Sequence, residues 1–144
     1  MELKIDDLLK IALTQYGISE ITGPVDNPEV MKYFHETGRT WVDHESTPWC
    51  DAFLDWCAMK AGYKFSKGLN ARGWLIEGVE LFRPNLGDIV VFWRKSPDSV
   101  YGHAGLFIRK HGSSIWVLGG NQSDSVCIKP FSEKQLLGYR RLFK

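Results

Sequence analysis

The chain has 144 residues, 44% of them apolar, with 18 basic and 17 acidic side chains and a net charge of +1. That is one domain's worth of sequence with enough apolar material for a single core, and residues 1–144 are read as one domain. A near-neutral balance with no basic run longer than Arg140-Arg141 excludes broad electrostatic binding to nucleic acid.

No apolar run approaches the roughly 20 residues that span a bilayer. The start, MELKIDDLLKIALTQYG, lacks the basic, apolar and small-residue regions of a signal peptide. The expectation is synthesis in the cytoplasm, with release or export needed for any substrate in the cell wall or periplasm. Cys50, Cys57 and Cys127 are too few and too oddly counted for a disulfide framework. Cys57 and Cys127 read as small buried hydrophobes. No CxxC or HExxH occurs and the four histidines are scattered, so no metal site is expected.

Apolar residues at Ile5, Leu8, Leu9, Ala12, Leu13 and Tyr16 predict an amphipathic helix over 4–16, closed by Gly17. Residues 18–27 read as a loop. Pro28, capped by Asn27, opens a second helix through Tyr33 and Phe34, ended by Gly38. Residues 39–49 look irregular. CDAFLDWCAMKA is apolar on most of its helical circumference and stops at Gly62, so it predicts a central helix starting near Thr47 or Cys50. The segment 67–78 is expected to hold a short helix.

Short β-branched and aromatic runs then follow. Strands are predicted at 88–93, 103–108, 114–118 and 125–128, with another at 137–143. Gly119-Gly120-Asn121-Gln122 reads as a break after the third. Helices first and an antiparallel meander afterwards predict an α+β domain, about five strands packed on one central helix.

Three residues at element ends could act together. A cysteine nucleophile needs thiolate character, which a helix N-terminus favours, and Cys50 sits at one. It also needs a base and a group that orients the base. His103 heads a strand, and on a period-2 strand Gly105 and Phe107 share its face. Gly105 would leave room beside the imidazole for a substrate backbone. A hairpin centred near Lys110–Gly112 would bring residues 118–121, including Asn121, opposite His103. Singly, each residue has an ordinary reading as a buried thiol, a core histidine or a turn asparagine.

The ordered pieces Trp49-Cys50-Asp51-Ala52-Phe53, Asn70-Ala71-Arg72-Gly73-Trp74, Pro84 to Phe92, Gly102-His103-Ala104-Gly105 and Leu118 to Ser123 resemble the CHAP family, the cysteine- and histidine-dependent amidohydrolases/peptidases of the NlpC-type papain-like clan. GGNQSD and the closing Leu-Gly-Tyr-Arg look most like a prophage-associated branch. The resemblance implies a papain-like fold and a peptidoglycan amidohydrolase or endopeptidase working through a thioester. It implies Cys50 as nucleophile, His103 as general base and Asn121 as the group holding the imidazole, with Gln122 a weaker alternative. Many members carry a Glu where this chain has Gly119.

The Cys50 backbone N–H is one expected oxyanion donor. Trp41, Asp43, Asn70, Arg72, Trp74 and Trp93 are candidate groove residues, and Trp49, Asp51 and Gln122 complete the substrate-binding set beside the catalytic trio. Trp56 and Trp116 are expected in the core. No metal or organic cofactor is implied. Peptidoglycan is the implied partner, together with an immunity protein, a holin or secretion machinery. The alternatives are a non-catalytic wall-binding module on the same fold and a papain-like toxin acting on proteins.

Overall fold

A computed structural model describes residues 7–21, 26–43, 49–64 and 70–143. Three helices come first: α1 (Asp7–Leu13), α2 (Pro28–His35) and α3 (Cys50–Ala61). A 3-10 helix follows at Ala71–Ile76. Then come β1 (Val79–Leu81), β2 (Ile89–Trp93), β3 (Gly102–His111), β4 (Ser114–Gln122), β5 (Ser125–Ser132) and β6 (Leu136–Arg141). The expectations for residues 4–6, Thr47 and 67–69 lie outside the described residues.

The helix ends follow local chemistry. The Asn27 side chain accepts from Glu29 N–H at 2.9 Å and Pro28 fills the first helical position, where its missing N–H costs nothing. Helix α3 ends at Gly62, which takes the left-handed φ of 79° and sends its N–H back to the last turn. Every residue from Cys50 to Ala58 is buried, as a nearly all-round apolar helix requires. It packs between α1, α2 and the sheet. Asp55, at the centre of α3, is paired with the buried Arg39 guanidinium.

The sheet has six strands, not about five, in the order β1-β6-β2-β3-β4-β5. The extra strand, β1, is three residues paired only with β6, too short to leave a periodic signal. The chain is a meander only from β2 to β5, since β6 returns to lie between β1 and β2. The β3–β4 hairpin turns at Gly112-Ser113, with Leu106 opposite Leu118. Gly119 to Gln122 does not end the third predicted strand. It continues β4 with a register shift against β5, and Asn121 stands there at a left-handed φ of 58°.

The sheet curls strongly. Phe92 on β2 and Phe131 on β5 are three strands apart, about 14 Å in a flat sheet at ~4.8 Å per strand. Their ring centroids nevertheless lie 5.2 Å apart. The concave space holds Val90, Phe92, Ile115, Val117 and Tyr139. A larger cluster on α1, α2 and α3 packs against Ile89, Val91, Ala104, Leu106 and Leu118. Trp56 joins that cluster, whereas Trp116, expected in the core, is only half-buried under the Arg109 guanidinium.

Candidate active site

Cys50 is the first residue of α3, and its thiol is buried. The backbone N–H groups of Ala104 and Asp51 approach it. The start of α3 is thereby set against the start of β3, one residue beyond His103. A helix N-terminus was expected to lower the Cys50 pKa. The structure corrects this: burial pushes it up to about 12, the neighbouring Asp51 carboxylate adds to the rise, and Arg94 with the two N–H groups offsets it only in part. Desolvation of the anionic form is the largest of these contributions.

His103 is buried in the curl of the sheet, its ring stacked on Phe131 at 4.9 Å. Burial lowers its pKa to about 4, against the opposing effect of a hydrogen bond to Gln122. Nε2 lies 2.8 Å from Gln122 Oε1. The amide orientation is fixed independently, because Gln122 Nε2 donates to Val117 O at 3.1 Å and Cys127 O at 2.7 Å. The atom facing the ring is therefore the oxygen, an acceptor, and His103 Nε2 carries the proton. Nδ1 carries no proton, and among the described residues this buried nitrogen has no hydrogen-bond partner.

This corrects the expectation that Asn121 holds the imidazole. The β4 register shift and the left-handed turn at Asn121 hand that position to Gln122. Room for it comes from Gly119, whose missing Cβ would stand 2.4 Å from Gln122 Oε1 and 3.3 Å from His103 Nε2. Gly105 does not open space for a substrate either. A Cβ there would meet Val117 Cγ1 at 2.5 Å and Leu118 O at 2.9 Å, so glycine permits the close approach of β4.

Most of the expected substrate-binding side chains are occupied within the fold. Trp49 is fully buried and donates from Nε1 to Glu20 at 2.6 Å. Asn70 caps the 3-10 helix by accepting from Gly73 N–H at 2.9 Å. Arg72 donates to Tyr101 O at 2.9 Å, Pro97 O at 2.7 Å, and Ser96 O at 2.9 Å. Trp74 is buried and donates to Asp51. Asp51 is itself buried, and its Oδ1 has no hydrogen-bond partner among the described residues. Burial and the Asp55 carboxylate raise its pKa to about 7, against the pull of Arg39 and Trp74. Gln122 serves the imidazole. Trp41 and Asp43 are exposed, and Trp93 is half-buried. Among the described residues no cluster of His, Cys, Asp and Glu is gathered to hold a metal.

Arg94 was missed. It follows β2 two residues after Phe92, the cross-strand partner of His103, and its charge acts on both Cys50 and His103. Period-2 alternation places Arg94 on the face of Phe92 and His103. That signal emerges only once the β2–β3 register is known.

A model of the CHAP domain matches residues 42–121, more than half of the chain. The chain belongs to the CHAP domain family. The matched span runs from the approach to Cys50 through His103 to Asn121. Among curated proteins nothing matches the sequence.

The solved structures to which this CHAP domain is similar include the following three. One is a protein described as similar to lipoprotein, of the NLP/P60 family, from Staphylococcus aureus subsp. aureus Mu50, at 17% identity and TM-score 0.55. It covers all of this chain, but this chain spans only 44% of that protein. The P60 domain of a Mycobacterium avium paratuberculosis antigen has 13% identity and TM-score 0.53, with 96% of this chain and 90% of that one covered. RipD of Mycobacterium tuberculosis, described as a non-catalytic NlpC/p60 domain protein adapted to peptidoglycan binding, has 17% identity and TM-score 0.51, with 96% and 95% covered. At these identities the likeness establishes the α+β papain-like fold shared by the CHAP and NlpC/P60 domains.

Proposed function

We propose that this CHAP domain is a peptidoglycan amidohydrolase or endopeptidase, with Cys50 as nucleophile, His103 as general base and Gln122 as the group positioning the imidazole. Family membership supports a cell-wall-related hydrolase or binding module. One observation favours the hydrolase: His103 Nε2–H is held by Gln122, so Nδ1 is an unprotonated base, without a hydrogen-bond partner among the described residues, on the residue preceding Ala104, whose N–H meets the Cys50 thiol. A merely structural histidine would be expected to have both nitrogens satisfied.

The raised thiol and lowered imidazole pKa values make neutral Cys50 and neutral His103 the resting pair. His103 Nδ1 takes the thiol proton as Cys50 Sγ bonds to the substrate carbonyl carbon, forming the tetrahedral intermediate. The Cys50 and Ala104 N–H groups are candidate donors to the developing oxyanion. Collapse breaks the C–N bond and His103 returns the proton to the leaving amine. Water, deprotonated by His103, then hydrolyses the thioester and Cys50 recovers its proton.

Mass spectrometry of soluble fragments released from purified sacculi tests this reading. Wild-type protein should release new amine and carboxyl ends at one bond type, identifying amidase or endopeptidase, and Cys50→Ala should release none. A Cys50→Ala protein that still released fragments would end it. A binding module, as described for RipD, predicts sedimentation with sacculi by both proteins and fragments from neither. The further proposal is that the protein meets the wall after release or export, as a lysin, a remodelling enzyme or an effector. A holin, secretion machinery or an immunity protein would be its partner in the corresponding setting.

A further inference from the structure

We infer that Arg94 is the carboxylate receptor of this site, presented beside Cys50 and His103 by a loop that Arg72 staples shut. The inference deepens the proposed function and rests on it, since it names what the site would recognise in a peptidoglycan peptide. Arg94 leaves β2 on the face it shares with Phe92, and Phe92 pairs directly with His103. Its N–H donates to Tyr101 O at 3.1 Å, so the side chain starts two residues from His103 across the ladder. The guanidinium is exposed and close enough to bias Cys50 toward the thiolate and His103 against the imidazolium. Among the described residues it donates no hydrogen bond to any acceptor.

The other nearby cations are committed. The Lys95 ammonium sits 4.1 Å over the Tyr101 ring, and Arg72 spends its donors on the loop. Arg72 reaches Ser96 O, Pro97 O and Tyr101 O, plus Ser99 Oγ at 3.1 Å. Ser99 Oγ donates to Arg94 O, and Ser96 N–H donates to the same carbonyl at 2.8 Å. Lys95 is held at a left-handed φ of 68°. The loop backbone is therefore fixed before any ligand arrives, while the planar fork at its first residue is left unsatisfied by the described residues. A guanidinium in that condition matches a carboxylate through two parallel hydrogen bonds, and a pre-set loop lowers the ordering cost of binding. Cell-wall peptides carry free carboxylates near their amide bonds, so the substrate class is an acidic peptide.

The test pairs wild type, Arg94→Gln and Arg94→Lys with soluble disaccharide-peptides in two forms, carboxyls free or amidated. Removing one charge-assisted contact should lower kcat/KM by about tenfold to a hundredfold. Amidation should therefore slow wild type to that extent. Arg94→Gln should lose as much on the free acid and be indifferent to amidation, with Arg94→Lys between. If Arg94→Gln slows both forms equally, its charge acts on Cys50 or the oxyanion and the inference is overturned; it fails equally if neither form is affected. If wild type turns over neither form, the hydrolase reading falls. Calorimetry with Cys50→Ala then decides the inference separately: tighter binding of the acid form, lost on adding Arg94→Gln, supports it, and equal binding of both forms overturns it.

Discussion

Gln122 Oε1 stands 2.8 Å from His103 Nε2 in the space that a Gly119 side chain would fill. The imidazole is thus held by a residue three positions beyond the glycine, folded back across a shifted register. Two backbone carbonyls grip the other end of the amide, so the acceptor is presented without freedom to rotate.

Removing that acceptor should cost activity more than stability. Gln122→Ala is expected to lower kcat about a hundredfold or more by freeing the ring tautomer, with KM little changed. Gln122→Glu should fare worse in folding, because a carboxylate oxygen would face the Val117 and Cys127 carbonyls in place of an N–H donor. A loss of about 1–3 kcal/mol in urea denaturation is expected. Equal kcat for wild type and Gln122→Ala would remove Gln122 from the site.

Gly119→Ala puts a methyl 2.4 Å from Gln122 Oε1, and the gripped amide cannot yield without breaking its own bonds. About 1–3 kcal/mol of destabilisation and a fall in kcat are expected. Combining it with Gln122→Ala should relieve most of the stability loss, so the two changes should be clearly non-additive. Additive losses would show that the two positions do not compete for one space.

Two buried groups of the candidate site, His103 and Asp51, oppose one another in pH. His103 has its pKa lowered to about 4, so its contribution is present above about 6.5 and is lost as pH falls toward 4. Asp51 has its pKa raised to about 7, so its contribution is full below about 3.8 and is lost as pH rises through 7. Wild-type stability should vary little from these two groups between pH 4 and 6.5. Asp51→Asn removes one of them, and its stability relative to wild type should climb from pH 4 to pH 8 by on the order of a few kcal/mol. Parallel denaturation curves for the two proteins across that range would refute the Asp51 shift.

Cys50 in the free protein should react with iodoacetamide more slowly than an ordinary cysteine at pH 8, because burial holds its pKa near 12. The rate should rise about tenfold per pH unit up to the onset of unfolding, following the thiolate fraction. Arg94→Gln should slow it further. A rate plateau near neutral pH would instead signal a preformed thiolate–imidazolium pair.

Arg39 and Asp55 form a buried pair, and Arg39 Nη1 also donates to Thr37 Oγ1 at 2.7 Å. Arg39→Met takes the paired guanidinium away from the buried Asp55 carboxylate and removes the cation that restrains Asp51. A loss of about 3–5 kcal/mol is expected in urea denaturation at pH 7, with part recovered by Asp55→Asn in the same chain. Unchanged stability in Arg39→Met would show that the pair carries no net weight.

The sequence by itself determined the local elements and the element ends at which Cys50 and His103 stand. Asn27-Pro28, the nine-residue buried face of α3 and Gly62 specify their helices through caps and apolar period. Gly112-Ser113 sets the β3–β4 turn, and the run of motifs places Cys50 at a helix start and His103 at a strand start. Tertiary structure decided the rest, because burial and register are sums over residues distant in the chain. It moved the imidazole partner from Asn121 to Gln122, gave Arg72, Asn70, Trp49 and Trp74, expected to bind substrate, partners within the fold, and brought the charge of Arg94 to bear on Cys50 and His103. It also reversed the electrostatics of Cys50. A helix end acts on its own first turn and is legible locally, whereas desolvation depends on everything packed around the thiol, and it is the first cause of the raised Cys50 pKa.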